Sequence, residues 1–396
     1  MSDGDEPGDL SEEDRRFRDE VRDFVARELT PEITGASGDL STLDRQREWQ
    51  RRLAAAGLAA ISWPEAHGGR GATPRQQLLF ATELARHRPP EPINRSAINQ
   101  LGPTIIQWGT AEQQERLLPR ILSGEDVWCQ GFSEPDAGSD LASLRTRALL
   151  DGDELVITGQ KIWTSKAHYA NWIYLLVRTD PDAPKHEGIS FVVASLDSPG
   201  IEIRPIRQVT GATDFSEVFL DAVRVPVANV IGPLDQGWKV ATSTLGYERV
   251  GQSRTHRIER RLSHLVRMAT EEGDDGSTPV EDDVVCDQIV RFTAQVEALR
   301  RIASQATAAG VRGMAPGPEA NIAKLLTSEV DQQMAGFGLD LAGAEGVLEP
   351  SSPDAPRKGT VALSYMLLRA ATLGAGTSEI QRNVIGEKLL GLPRDH

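Results

Sequence analysis

The stretch that decides the fold is Gly131-Phe132-Ser133-Glu134-Pro135-Asp136-Ala137-Gly138-Ser139-Asp140, in the middle third of a 396-residue chain. A predicted strand ends at Ser133, because Pro135 cannot continue it. Gly138 permits close approach to the backbone, and Ser139 and Asp140 can cap the segment that follows. Hydroxyl groups and free backbone N–H groups exposed together suit an anionic or heteroaromatic ligand. The same residues also fit a simple capped β-turn, and the local chemistry leaves both interpretations open.

A second stretch, Gln160-Lys161-Ile162-Trp163-Thr164-Ser165, follows a hairpin whose predicted turn is Asp151-Gly152-Asp153. A tryptophan beside small hydroxyl residues can stack on a planar cofactor and hydrogen-bond its edge. A strand tryptophan is more often part of the core. This stretch therefore becomes specific only together with the first one.

A third stretch, Gly374-Ala375-Gly376-Thr377-Ser378-Glu379-Ile380-Gln381-Arg382, stands before a helical pattern. Its plain interpretation is a helix N-terminus with Thr377 as the cap. The apolar face that follows contains Ile380, Val384, Ile385, Leu389 and Leu390. The Gly-x-Gly does not follow a strand, so a Rossmann nucleotide site is excluded.

The periodicity of the sequence changes twice around these stretches. Apolar residues recur every three or four positions from 11 to about 122, alternate with polar ones from about 128 to 229, and return to helical spacing from 237. Helices are predicted at 44–57, 75–87, 111–122, 237–271, 281–312, 318–342 and 358–391. The strand region lacks intervening helices, which indicates an antiparallel sheet.

The predicted fold is therefore α+β, with an N-terminal α-helical domain, a central antiparallel β-sandwich or barrel and a C-terminal four-helix bundle. The predicted boundaries are a disordered tail at 1–10, then domains at 11–127, 128–232 and 233–396.

Composition excludes several classes of protein. Lys and Arg total 43 against 58 Asp and Glu, a formal charge of −15 that opposes binding to nucleic acid. Two cysteines, Cys129 and Cys286, cannot build a disulfide scaffold. No apolar run is long enough for a membrane helix, and the first ten residues lack the features of a signal peptide. We expect a cytoplasmic protein with no metal site, since the seven histidines show no ligand spacing.

Taken together, the three stretches resemble the acyl-CoA dehydrogenase family, whose members are FAD-dependent and share this order of domains. The resemblance runs from about residue 11 to 393. It implies that Trp163 covers the isoalloxazine ring and that Ser165 hydrogen-bonds near N5. The full set of implied cofactor-binding residues is Phe132, Ser133, Gly138, Ser139, Trp163, Thr164, Ser165, Thr377 and Glu379.

The resemblance also bears on the catalytic base, which must remove a proton from the carbon next to a thioester. Many members carry a glutamate where this chain has Ala375, which cannot act as a base. The family's second location, a Glu-Arg pair on the first bundle helix, is matched by Glu248-Arg249. Helical spacing from Ala241 and Thr244 places Glu248 on the face of small and apolar residues. A surface glutamate paired with a neighbouring side chain is the alternative.

The implied substrate-binding residues are Ser139, Tyr247, Arg249, Gly374, Ala375 and Gly376. Two very small residues, Gly374 and Ala375, leave room beside the reacting carbons. We therefore expect a substrate that is branched or cyclic there.

Two departures from the family concern the part of the FAD site that a neighbouring subunit supplies. The usual Arg-x-x-Phe-Gly is replaced by the acidic stretch 270–276, and Gln-x-x-Gly-Gly by Asp340-Leu341-Ala342-Gly343-Ala344. Carboxylates near a diphosphate are repulsive. The chain is therefore expected either to hold FAD with fewer contacts between subunits or to work with a homologous partner, as a homotetramer or an α2β2 heterotetramer.

The expected function is FAD-dependent α,β-dehydrogenation of an acyl-CoA or acyl-carrier thioester, with an electron-accepting flavoprotein as redox partner. Two alternatives remain. One is a flavin oxidase or monooxygenase on the same fold, and the other is a non-catalytic partner subunit of a heteromeric acyl-CoA dehydrogenase.

Overall fold

The structure is a computed structural model that describes residues 10–37, 40–250, 255–273, 276–311 and 319–393. The side chains of 247–250, 255, 256, 304 and 306–311 lie outside the described part. The chain divides into two compact units. The first comprises Met1–Ile206 and Thr213–Glu248, and the second comprises Arg207–Ala212 and Arg249–His396.

Six helices open the first unit, and the sequence explains where they begin. Ser11 accepts the Asp14 N–H at the start of the first helix, and Thr73 and Thr110 form capping boxes with Gln76 and Gln113. The helices are α1 Glu12–Glu28, α2 Pro31–Thr34, α3 Thr42–Ala55, α4 Pro74–His87, α5 Gly102–Trp108 and α6 Ala111–Ser123. The apolar stripes of α1 and α3 pack in a core that includes Phe17, Val21, Phe24, Trp49 and Leu53, whereas α5 and α6 contribute to a second core that also contains residues of the sheet. The helices predicted in this region are confirmed.

A seven-stranded sheet follows in the same unit. Its strands are β1 Trp128–Gly131, β2 Arg147–Asp151, β3 Glu154–Ser165, β4 Trp172–Arg178, β5 Ile189–Ser195, β6 Ile201–Ile206 and β7 Phe215–Pro226. The strand order is β1-β4-β2-β3-β7-β6, and β5 pairs with β4. The predicted turn joins β2 to β3, and Gly152 there has the left-handed φ of +65° that the tight turn requires.

The pairing in this sheet is mixed, so the prediction of an antiparallel sheet is wrong for the pairing of β1. Four strand pairs are antiparallel, whereas β1 runs parallel to β4 over Trp128–Gly131. Arg147, the first residue of β2, also pairs in parallel with Arg178, the last residue of β4. Alternating apolar residues report which face is buried but not which strand lies alongside, so the direction of β1 could not be read locally.

The remaining helices are α7 Gly237–Val250, α8 Thr255–Thr270, α9 Asp283–Val311, α10 Glu319–Leu341, α11 Thr360–Leu368 and α12 Ser378–Lys388. Helix α7 belongs to the first unit up to Glu248. The bundle core of the second unit includes Leu265, Phe292, Leu299, Met334 and Val361. The predicted segment 358–391 consists of two helices, α11 and α12, because a short turn and the glycines at 374 and 376 separate them.

Both cysteines of the chain lie in the described residues. Cys129 is buried, Cys286 is exposed, and both are free thiols. Within the described ranges no helix combines the length and apolar character needed to cross a membrane, and no cluster of His, Cys, Asp and Glu could hold a metal ion.

Candidate functional site

The loop after β1 forms the first part of the site. Phe132 is buried edge-on against Tyr174 and Phe191, with ring centroids 5.7 and 5.8 Å apart. A tight turn follows, in which Glu134 and Ala137 exchange two backbone hydrogen bonds of 3.1 Å. Gly138 is exposed, and a Cβ added there would meet nothing within 4 Å. The loop therefore presents an open backbone edge at Gly138 and the exposed residue Ser139.

The end of β3 forms the second part. The register of β3 against β7 shifts between Lys161 and Thr164, so the intervening residues bulge out of the ladder. Trp163 lies in this bulge with a left-handed φ of +59° and is 56% exposed. The rings of Trp163 and Phe215 lie nearly perpendicular, with their centroids 6.1 Å apart. Such a backbone costs a bulky residue about 1–3 kcal/mol, and strain of this kind clusters at functional sites.

The structure brings these two predicted stretches together through three contacts. The Ile162 N–H donates to the Ser133 carbonyl at 3.0 Å. The Lys161 ammonium donates to Glu134 Oε1 at 2.7 Å and to the Phe132 carbonyl at 3.2 Å. The exposed Trp163 and the loop after β1 are thus parts of one local structure.

Sequence reasoning missed the roles of Glu134 and Lys161, although both lie in the quoted stretches. Lys161 is fully buried and Glu134 is 8% exposed. Charged residues are seldom buried unless they are paired, and nothing in the sequence showed that these two meet. The only available signal was that each lies next to residues predicted to bind the cofactor.

Burial governs the protonation of this pair. Loss of water lowers the pKa of Lys161 to about 8, and attraction to Glu134 offsets only part of this effect. Burial alone would raise the pKa of Glu134, but Lys161 and the N–H groups of Arg145 and Thr146 keep it below its usual value. Both groups are therefore charged at neutral pH.

Two buried hydroxyl groups beside the bulge have no partner among the described residues. They are Thr164 Oγ1 and Ser216 Oγ, which belong to directly paired positions of β3 and β7. Unsatisfied buried hydroxyl groups are uncommon in native proteins and need an explanation. Their oxygen atoms are buried inside the sheet, whereas the outward indole of Trp163 and the exposed Ser165 fit a planar, polar-edged ligand such as a flavin.

The third stretch lies in the second unit. Thr377 caps α12 by accepting the Ile380 N–H at 3.2 Å, as predicted. The loop before it is held by Lys324, whose ammonium donates to the Gly376 carbonyl at 2.7 Å, and by Gln381, whose amide donates to the Ala375 carbonyl at 3.1 Å.

The backbone of this loop is strained, because Ala375 has a left-handed φ of +56°. Gly374, Ala375 and Glu379 are exposed. The pKa of Glu379 is lowered, first by a backbone N–H at the start of α12 and then by Thr377.

Helix α7 carries the predicted base. Ala241 and Thr244 are fully buried, and Glu248 follows one turn later on the same face. The Thr244 hydroxyl lies 2.8 Å from that of Thr104 on α5, and Trp108 Nε1 donates to Ser243 Oγ at 2.9 Å. The side chains of Tyr247, Glu248 and Arg249 lie outside the described residues, so their predicted roles stay predictions.

Comparison with known proteins agrees with this arrangement. Models of the N-terminal, middle and C-terminal domains of acyl-CoA dehydrogenase match residues 11–125, 129–223 and 235–390. The acyl-CoA dehydrogenase IpdE1 of Mycobacterium tuberculosis is 40% identical over 389 residues, which cover 96% of this chain and 98% of the relative. The chain belongs to the acyl-CoA dehydrogenase family. The predicted family and fold class are thereby confirmed.

Two solved structures extend the comparison. The ChsE4-ChsE5 complex of Mycobacterium tuberculosis has a TM-score of 0.84 and 33% identity, covering 98% of this chain and 100% of that one. The Tcur3481-Tcur3483 steroid ACAD has a TM-score of 0.84 and 34% identity, covering 98% and 99%. Acyl-CoA dehydrogenases are flavoproteins.

Proposed function

We propose that this chain catalyses the FAD-dependent α,β-dehydrogenation of an acyl-CoA thioester with a ring or branch near the reacting carbons. The observation that carries this proposal is the exposed Trp163, which a strained bulge presents beside the loop after β1. An enzyme gains nothing in stability from an exposed indole on an unfavourable backbone. A planar cofactor that stacks on it supplies the reason.

The cofactor proposed for this site is FAD. When bound, it accepts the hydride that leaves the β-carbon of the thioester. Trp163 would cover the ring system, Ser165 would hydrogen-bond its edge, and Phe132, Ser133, Gly138 and Ser139 would line it. Thr164, which lies between Trp163 and Ser165 in the chain, completes the proposed set of this segment. Thr377 and Glu379 are proposed contacts from the second unit.

Glu248 is the proposed base. Its carboxylate would take the proton from the α-carbon, and burial would raise its pKa so that it can do so. The buried face of α7 through Ala241 and Thr244 supports this role, because Glu248 continues that face. Many family members carry the base at the position of Ala375, and alanine cannot remove a proton. Tyr247 and Arg249 are proposed to line the thioester.

The ring or branch in the substrate rests on two observations. Gly374 and Ala375, with Gly376 beside them, place almost no side-chain volume where the acyl group is expected. One of the similar solved structures is a steroid ACAD. We therefore propose a bulky alicyclic acyl group, carried by CoA or by an acyl carrier.

We also propose that the chain assembles with a homologous partner, because its sequence departs from the family in the part of the FAD site that a neighbouring subunit supplies. The stretch 270–276 is acidic where a basic residue usually meets the diphosphate, and the similar solved structures include the ChsE4-ChsE5 complex. The second unit also exposes apolar side chains near the chain end, namely Leu373, Leu389, Leu390 and Leu392. These side chains favour an α2β2 assembly or a homotetramer.

The test is a visible absorption spectrum of the purified chain, followed by anaerobic addition of thioesters. We expect flavin bands, and bleaching by alicyclic acyl-CoA in preference to straight-chain acyl-CoA. An electron-accepting flavoprotein should then reoxidise the enzyme. Preference for straight chains would contradict the substrate proposal. A folded chain that takes up no added FAD would show that a partner subunit is needed to complete the site.

A further inference from the structure

The buried pair Glu134–Lys161 has no part in the proposed chemistry, yet it lies at the centre of the site. The Lys161 side chain is fully buried, and its ammonium lies 2.7 Å from Glu134 Oε1 and 3.2 Å from the Phe132 carbonyl. A buried ion pair contributes little net stability compared with apolar residues of similar volume. Its presence therefore calls for another reason.

The pair joins three separate segments of the first unit. Beyond Lys161, the Glu134 carboxylate accepts the N–H of Arg145 at 2.6 Å and the N–H of Thr146 at 2.9 Å. Lys161 belongs to β3 and opposes Val218 of β7. The strand end at 132–134, the segment at 145–146 and β3 are thus tied at one point.

That point lies directly before the bulge. Lys161 is the last residue of β3 with a partner in β7 before the register shift, and pairing resumes at Thr164. Within the bulge the Ile162 N–H bonds to the Ser133 carbonyl instead. The strained backbone of Trp163 is therefore fixed by the segment that Glu134 and Lys161 hold in place.

We propose that Glu134 and Lys161 are a positioning pair, which fixes the Trp163 bulge against the loop after β1 so that both meet the flavin in one arrangement. This inference rests on the proposed function, since it assumes that FAD binds there. A purely structural ion pair would change stability alone. Removal of a positioning pair must also change the local order of the loop after β1 and of the Trp163 bulge, together with the affinity for FAD.

The principal variant is Lys161→Met, which removes the ammonium and keeps the length of the side chain. We expect hydrogen exchange to become faster in peptides covering 131–137 and 158–168, but not in β4 and β5. We also expect the Kd for FAD, measured by titration of the apoprotein, to rise about tenfold or more, as for other residues that orient a ligand group. The control is Arg224→Met, which breaks an exposed ion pair with Asp151 and Glu154 in the same sheet.

A second variant covers the case in which the single change prevents folding. Glu134→Gln together with Lys161→Met leaves neither charge unpaired and keeps a side-chain carbonyl as acceptor for the N–H groups of Arg145 and Thr146, so the double variant should fold. The proposal requires faster exchange in both loops and the weaker Kd here as well. Wild-type exchange, or a wild-type Kd in the folded variant, would overturn it.

The exchange measurement also separates this proposal from the proposed function. If the wild-type chain binds no FAD, the proposed function fails for the chain alone. Exchange in the apoprotein then decides whether the pair fixes the Trp163 bulge: faster exchange confined to the two loops supports this, and unchanged exchange refutes it.

Discussion

At the scale of single residues, Trp163 combines a strained backbone with an exposed indole. Its backbone is in the left-handed region and its side chain is 56% exposed. Both features are unfavourable for a tryptophan in an isolated strand, and both are explained if a flat ligand covers the indole.

Trp163→Gly separates the two effects. Glycine accepts the positive φ without strain, while the stacking surface is lost. We expect the unfolding free energy of the apoprotein to change by less than about 1 kcal/mol, because relief of strain offsets lost packing on Phe215. The Kd for FAD should rise about tenfold, in line with the worth of one aromatic stack.

Thermal denaturation and FAD titration check this prediction. Leu150→Ala is the control, since Leu150 is another exposed apolar residue of the same sheet, on β2. A strongly destabilised Trp163→Gly variant with wild-type affinity for FAD would show that the indole serves the fold instead.

Trp163 was predicted as a cofactor contact through the family resemblance of the combined stretches, because a strand tryptophan by itself is more often part of the core. The sequence was not sufficient to reveal Lys161 and Glu134 as a pair. That contact depends on a bulge in β3 and on the turn after β1, and neither is encoded in the spacing of apolar residues. Burial of a charge is a property of tertiary structure.

At the scale of elements, α7 is fixed to α5 by polar contacts at its buried face. The Thr104 and Thr244 hydroxyl groups lie 2.8 Å apart, one helical turn before Glu248. Removing one hydroxyl should therefore loosen the helix that carries the proposed base. The proposed cofactor contacts of the sheet should stay intact.

Thr244→Val tests this arrangement. We expect a loss of about 1 kcal/mol in stability, since Thr104 still donates to the Gln100 carbonyl. The kcat should fall several-fold, with an unchanged Kd for FAD. Thr242→Val on the exposed face of α7 is the matched control, because its hydroxyl donates only to the Lys239 carbonyl. Equal kcat values in the two variants would contradict the role given to Thr244.

Helix α3 gives a prediction about pH. A hydrogen bond from Arg51, opposed by partial burial and supported by Arg52, holds the pKa of Glu48 at about 2 instead of 4.5. A carboxyl whose pKa is lower in the folded state stabilises the protein above its unfolded pKa, and this contribution is lost as the pH falls towards about 2.

Glu48→Gln should therefore destabilise the protein by about 1 kcal/mol or less at neutral pH, since the group is close to solvent. The difference from wild type should vanish near pH 2, which urea unfolding at several pH values would measure. Glu12→Gln, which breaks an exposed pair with Arg16 on α1, is the control. A difference that grows as the pH falls would show the sign to be wrong.

The elements themselves were largely predictable. The β2–β3 turn follows from Gly152, and the N-termini of α6 and α12 follow from Thr110 and Thr377. The parallel pairing of β1 with β4 was not, because the two strands are separated by more than 30 residues, and local periodicity carries no information about partners.

At the scale of the whole molecule, we expect this acyl-CoA dehydrogenase to act in an assembly. Leu390 is 64% exposed and Leu392 is 56% exposed at the end of the described chain. A net charge of −15 disfavours nonspecific association, so these side chains suggest a specific contact.

Leu390→Glu combined with Leu392→Glu should shift the mass measured by light scattering towards the monomer, because burying two carboxylates is costly. Leu149→Glu on β2, also at an exposed leucine, should leave the mass unchanged. An unchanged mass in the double variant would place the assembly contact elsewhere.

We propose that Glu248 removes the α-proton of the thioester, and anaerobic mixing with an alicyclic acyl-CoA is the first measurement to make. The purified assembly should bleach rapidly. Glu248→Gln should bind FAD with unchanged affinity but bleach more slowly by a factor of about 10² or more. Glu297→Gln, at a half-buried glutamate of α9 that pairs with Arg300, should behave as wild type. Bleaching of the Glu248→Gln enzyme at the wild-type rate would show that another group removes the proton.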